Sequence, residues 1–163
     1  MTGTSRGRLE DLKAPSAPKS GALPAIVAGG LIAGTLDLAQ ALILFGRRVP
    51  FGIAAGLLGP RIAHQGGAGI YVLGIFLHFF IASSATAVYY GASRKLAFMI
   101  EHPLVCGLFY GIAVELVMSY VVLPLSALDV RGPFALHDII LGLVVHMFTV
   151  GLPISFSVRR FAR

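Results

Sequence analysis

Four ionisable residues stand alone inside long apolar stretches: Asp37, His78, Glu115 and His146. Two carboxylates and two imidazoles are the groups that exchange protons near neutral pH, pair as hydrogen-bonded ions, or ligate transition metals. Each falls near the middle of its own stretch. At 1.5 Å rise per residue, Asp37 and Glu115 lie about twelve or thirteen residues in from one face, and His78 and His146 about ten or eleven from the other. All four are thus expected in one layer near a midplane. Burying a central Asp in hydrocarbon costs about 2.5–3.5 kcal/mol, so such groups should turn inward and pair: Asp37 with His146 or His78, and Glu115 with the remaining histidine.

The stretches that must position them are set by composition. Of 163 residues, 56% are hydrophobic and only 12% charged, with a mean hydropathy of +0.85. That excludes a water-soluble monomer, disorder and, with Cys106 as the one cysteine, a disulfide scaffold. Apolar runs of bilayer-crossing length cover 22–45, 68–90, 103–125 and 134–158. The fold class is therefore an all-α integral membrane four-helix bundle. Between the first two runs, segment 49–63 is apolar but too short to cross. Gly52, Gly56, Gly59, Pro60 and Arg61 interrupt it, and it reads as an interfacial or re-entrant element. Residues 1–21 read as a flexible cytoplasmic tail, leaving 22–163 as the membrane domain.

Arg6, Arg8, Lys13, Lys19, Arg94, Lys95, Arg159, Arg160 and Arg163 fall on one side of this topology, and Arg47, Arg48, Arg61 and Arg131 on the other. Positive charge accumulates on the cytoplasmic side, so both termini are expected there. The net charge of +6 is explained by topology and contact with the lipid bilayer, and nothing indicates a nucleic-acid reader.

Small residues share the faces of the four ionisable groups. Gly30 and Gly34 lie with Asp37, Gly74 with His78, Gly107 and Gly111 with Glu115, and Gly142 and Thr149 with His146. Their spacing lets backbones approach closely. Gln40, one turn from Asp37, and Thr149 form a secondary polar rank, with Ser83, Ser84, Tyr110, Ser119 and Tyr120 as weaker candidates. His137-Asp138, His64 and His102 read as hydrated groups at helix ends or loops.

Three functional readings stay open. The first is proton- or ion-linked transport of a small ion or solute, or a pH response, run by the four-residue layer. The second is a transition metal held by His78, His146, Asp37 and Glu115, or a haem b on His78 and His146, although no Glu-x-x-His or His-x-x-x-His spacing occurs. The third is a structural or partner-binding subunit. No cofactor is required by the first or third. No nucleophile elbow, phosphate loop or His-Glu-x-x-His marks an enzyme. So small a bundle encloses little volume, which favours a homo-oligomer if it conducts.

The stretch Gly107-Leu-Phe-Tyr-Gly111-Ile-Ala-Val-Glu115 continuing to Leu123-Pro124-Leu125, with Gly142-Leu-Val-Val-His146, Leu77-His78 and Gly30-x-x-Ala33-Gly34, resembles the YagU-type family of small bacterial inner-membrane proteins. The resemblance implies about four spans, a plasma-membrane location and a link to survival in acid. In that pattern the Glu115 position can hold a neutral amide and the loop after the first span is longer. His78 and His146 therefore carry more of the implied role.

Overall fold

The computed structural model describes residues 21–161. Its helices are, in chain order, α1 (Ala22–Phe45), α2 (Val49–Leu58), α3 (Pro60–Ala63), α4 (Ala68–Ser93), α5 (Phe98–Glu101), α6 (Pro103–Leu125) and α7 (Leu136–Phe161). α1, α4, α6 and α7 are long and apolar enough to cross a membrane, so the protein is a multi-pass membrane protein built as an all-α four-span bundle. The tail expected over 1–21 lies outside the described residues except for Gly21. So do Arg6, Arg8, Lys13, Lys19 and Arg163 of the charge tally.

Gly46 and Gly59 terminate α1 and α2 with φ of 80° and 82°, a backbone region that side-chain-bearing residues avoid. The second span runs to Ser93 rather than Tyr90, its last turn tied by the Ser93 hydroxyl donating to the Tyr90 carbonyl at 2.8 Å. The fourth starts at Leu136, because Ala135 is still extended after Pro133, and continues to Phe161. Arg159 and Arg160 in its final turn suit the negative end of the helix dipole.

The packing order across the bundle is α4, α1, α7, α6, with α1 and α7 in the middle. The interior is rich in small side chains, with Tyr89, Ile154 and Val158 the large ones fully buried. Ala25, Ala33 and Ala82 are buried while Leu31, Ile43, Phe76, Phe109 and Phe148 stand exposed on the outer surface. Such an inside-out size distribution is expected where lipid, not water, is the surrounding solvent and close backbone contact holds helices together. α4 and α6 meet at the end of the bundle where the chain ends gather. There the Tyr110 hydroxyl donates to the Ala85 carbonyl at 2.6 Å, and the Tyr89 and Tyr110 rings pack edge to face at 4.9 Å.

At the opposite end α2 packs on α4. Pro50 is buried against Gly74, Phe51 meets Tyr71 edge-on at 5.3 Å, and the Ala127 N–H donates to the Gly56 carbonyl at 2.8 Å, tying α2 to the loop after α6. Gly74 thus serves the short helix rather than the contact of α4 with another span.

Both α6 and α7 widen into a π turn, over Met118–Val122 and Met147–Gly151. Each ends two residues before a proline, Pro124 or Pro153. A proline ring presses on the carbonyl four residues earlier, here Tyr120 or Thr149, and both carbonyls fall within the widened turns. The π geometry is the local answer to that crowding. Next to the turns, Gly111 and Gly151 bring the two backbones together: a Cβ on Gly111 would stand 2.5 Å from the His146 carbonyl oxygen, and one on Gly151 2.9 Å from the Gly111 Cα.

Gly111→Leu should therefore destabilise the bundle by about 1–3 kcal/mol through overpacking, read as a lowered thermal midpoint in detergent. Gly91→Ala, where a Cβ meets nothing within 4 Å, should leave it unchanged.

Candidate functional site

The site is assembled from the two inner helices and their outer neighbours. On α6, the Glu115 carboxylate is 9% exposed. Its Oε2 lies 3.0 Å from His146 Nδ1 on α7, and its Oε1 accepts a hydrogen bond from the Ser119 hydroxyl at 2.7 Å. His146 Nδ1 also lies 3.0 Å from the Gly142 carbonyl oxygen. Both neighbours of Nδ1 are acceptors, so a proton belongs on Nδ1. Gly142 is what makes room: a Cβ there would fall 2.6 Å from Glu115 Oε1.

The second pair joins α1 and α4. His78 Nε2 donates to the Gly34 carbonyl at 2.9 Å and stands 3.9 Å from Asp37 Oδ2, a looser ionic neighbour than the Glu115–His146 contact. Asp37 Oδ1 accepts from the Thr149 hydroxyl at 2.8 Å, and the same hydroxyl lies 2.9 Å from the Val145 carbonyl. Thr149, in the π turn of α7, therefore links the α1–α4 pair to the helix that carries His146.

Gly30 and Gly34 allow the first pair to form, since a Cβ on either would press on Ser83 or the Phe79 ring of α4. Gly107 and Gly111 do the same for the second against α7.

The expectation that all four side chains converge in one buried cluster is corrected. The packing order gives each carboxylate its own imidazole at a separate interface, α1 with α4 and α6 with α7. Only Glu115 is buried, the other three being part-buried. The metal reading fails on the same geometry: among the described residues, no three His, Cys, Asp or Glu side chains are grouped to hold an ion. The two histidines proposed as the axial pair of a haem b are each engaged by a different carboxylate, His78 beside Asp37 and His146 beside Glu115.

That cleft, about 270 Å³, includes Asp37, Gln40, Phe45, Glu115, Asp138 and His146 in its wall. It sits toward the end of the bundle where α1 finishes and α7 begins. At about 30 Å³ per water it has room for several waters or a small ion with part of its hydration shell. Three carboxylates and no Lys or Arg line it, so its potential favours cations. The Gln40 amide nitrogen is buried without a hydrogen-bond partner among the described residues.

Asp138 and the π turns were not expected as parts of the site, and Ser119 was expected only as a weaker polar candidate. The sequence carries a signal for the first: Asp138, Gly142 and His146 recur every four residues and so share one face of α7. Ser119 stands in the same relation to Glu115. Gln40 does line the cleft beside Asp37.

No protein-family model, curated protein or solved structure matches the chain. The site is therefore testable only on its own geometry. In a double-mutant cycle on thermal stability, Glu115→Ala and His146→Ala should couple by about 0.5–3 kcal/mol, whereas Glu115→Ala with His78→Ala should be additive within about 0.5 kcal/mol. Gly142→Ala, by displacing the carboxylate, should reproduce most of the Glu115→Ala loss.

Proposed function

We propose that this membrane protein takes up a proton or small cation from one side of the bilayer into a midplane carboxylate–imidazole site, as part of proton- or ion-linked transport or a response to acid. The observation that carries the reading is the cleft, which connects Asp138 near the bundle end to Asp37, Glu115 and His146 at mid-depth. Intramembrane ionisable residues facing a hydrated cavity are costly to keep and characteristically mark ion and proton pathways.

The chemistry follows from the proton positions. With Nδ1–H directed at Glu115 and the Gly142 carbonyl, His146 accepts an incoming proton at Nε2 and becomes an imidazolium whose charge the adjacent carboxylate balances. Loss of the Nδ1 proton to Glu115 Oε2 would then restore a neutral ring and leave a carboxylic acid. Asp37 extends the acidic wall toward α1, its position set by the Thr149 hydroxyl. The widened turns beginning one residue after His146 and three after Glu115 are breaks in helical regularity of a kind frequent at functional sites.

The Lys/Arg imbalance supports a cytoplasmic location for both termini. The cleft would then open on the opposite, extracytoplasmic side. The short motifs shared with the YagU-type pattern support a bacterial inner-membrane setting and an acid-linked role.

In vesicles loaded with a pH-sensitive dye, an imposed proton or cation gradient should drive flux that Asp37→Asn or His146→Ala lowers more than tenfold and Asp138→Asn lowers by a few fold, with insertion intact. Absence of flux in the unmutated protein under every gradient tried would remove the proposal. In a Cys106→Ser background, Leu141→Cys in the cleft wall should react with a membrane-impermeant thiol reagent from one side only.

A further inference from the structure

A second cavity, sharing only Phe45 of its lining with the polar cleft, lies between α2, α4 and α6. It holds about 490 Å³ and is apolar, walled by Gly52 and Gly56 of α2, Leu77 and Ile81 of α4, and Met118 and Val122 of α6. It exists because α4 and α6 are adjacent only at the other end of the bundle, where the two tyrosines meet. Toward the α2 end the gap between them is left open.

The α2 wall is unusual in what it lacks. Gly52 and Gly56 are one turn apart in a regular helix, where each costs roughly 0.5–1 kcal/mol relative to alanine. A Cβ on Gly52 would meet nothing within 4 Å, and one on Gly56 only an ordinary contact with Ser126 at 3.7 Å. By contrast, Gly30, Gly34, Gly107, Gly111 and Gly151 are all pressed against a neighbouring helix. Among the described residues, no group accounts for the bare face of α2.

The charge beside the cavity that has no opposite partner is positive. Arg47 and Arg48 sit between Phe45 and Val49, both of which line it, and Arg61 lies past the break at Gly59 that ends α2, whereas Asp129, next to the lining Leu128, is paired with Arg131 at 2.8 Å. The segment from Gly46 to Gly67 has no Asp or Glu, and none of these arginines forms an ion pair among the described residues.

We propose that this slot binds one anionic phospholipid, with its phosphate at Arg47 and Arg48 and an acyl chain lying against Gly52 and Gly56. Arginines recognise phosphate oxygens through paired N–H donors, and a lipid tail entering from the headgroup level runs inward along the path the slot takes toward Ile81 and Met118. A second copy of the chain fits less well. A two-fold contact through this face would bring both sets of Arg47 and Arg48 together, while Asp129, the acidic residue beside the slot, is already paired with Arg131 at 2.8 Å.

The test uses the full chain, equilibrated with vesicles of equal phosphatidylglycerol and phosphatidylcholine, re-extracted in mild detergent and weighed intact by native mass spectrometry. One retained phosphatidylglycerol per chain is expected, favoured about thirtyfold over phosphatidylcholine for two contributing arginines. Arg47→Gln with Arg48→Gln should abolish that preference. Gly52→Phe should expel the lipid while lowering the thermal midpoint by no more than a few degrees. Equal retention of the two lipids, an unchanged preference in the double arginine variant, or a two-chain complex that Gly52→Phe splits would each overturn the proposal. Should Gly52→Phe fail to fold, the surface arginine variant decides alone.

Discussion

The close approach of α6 to α7 at Gly107, Gly111 and Gly151 is the constraint on which the rest depends. Helices in lipid gain nothing from hiding apolar surface from one another, so they are held by van der Waals contact and by hydrogen bonds that need short interaxial distances. Here the regular helix of α6 touches the widened turn of α7, and the Glu115 carboxylate occupies the space left by the missing side chain of Gly142. A larger residue at any of these positions would separate the carboxylate from His146, leaving Glu115 with Ser119 alone and His146 with the Gly142 carbonyl alone, a costlier outcome than replacing the pair altogether. The polar contact and the glycine contact are thus a single structural unit.

The sequence makes the class of fold plain and the arrangement of its parts only partly so. Apolar runs of bilayer length identify the four spans, because no other solvent tolerates Phe76, Phe109 and Phe148 on an outer surface. The positions of Asp37, His78, Glu115 and His146 near mid-depth follow from counting residues. Which carboxylate meets which imidazole does not, since the 3.6-residue period fixes faces of a helix but not the order of helices around a bundle. α4 packs on α7 over the last turns of α7, Leu152–Phe161, and not at the level of His146. The sequence of α7 does disclose Asp138 through its four-residue spacing to Gly142 and His146. The role of Gly74 against Pro50 was hidden, because a glycine face gives no indication of which neighbour it admits.

The two widened turns show how a backbone defect and a polar site come to coincide. Pro124 and Pro153 each disturb the helix a turn earlier, and the extra residue accommodated there rotates everything beyond it relative to a regular helix. Thr149 lies inside one of these turns, and its hydroxyl reaches across to Asp37 on α1. Glu115 and His146 precede the turns and remain on regular helix, while beyond the turn in α7 Ile154, Ser155 and Val158 are fully buried.

Gly21 rests against the backbone of Phe161, so the two ends of the four-span unit emerge side by side. An even number of crossings returns the chain to the face it left, and here it returns to the same spot. A few residues of linker would close the unit into a ring, and cutting that ring elsewhere, as between α4 and α5, would give a permuted chain with the same interior contacts. Two such units fused end to end would likewise share one orientation without an added crossing, so this architecture is open to enlargement by tandem duplication.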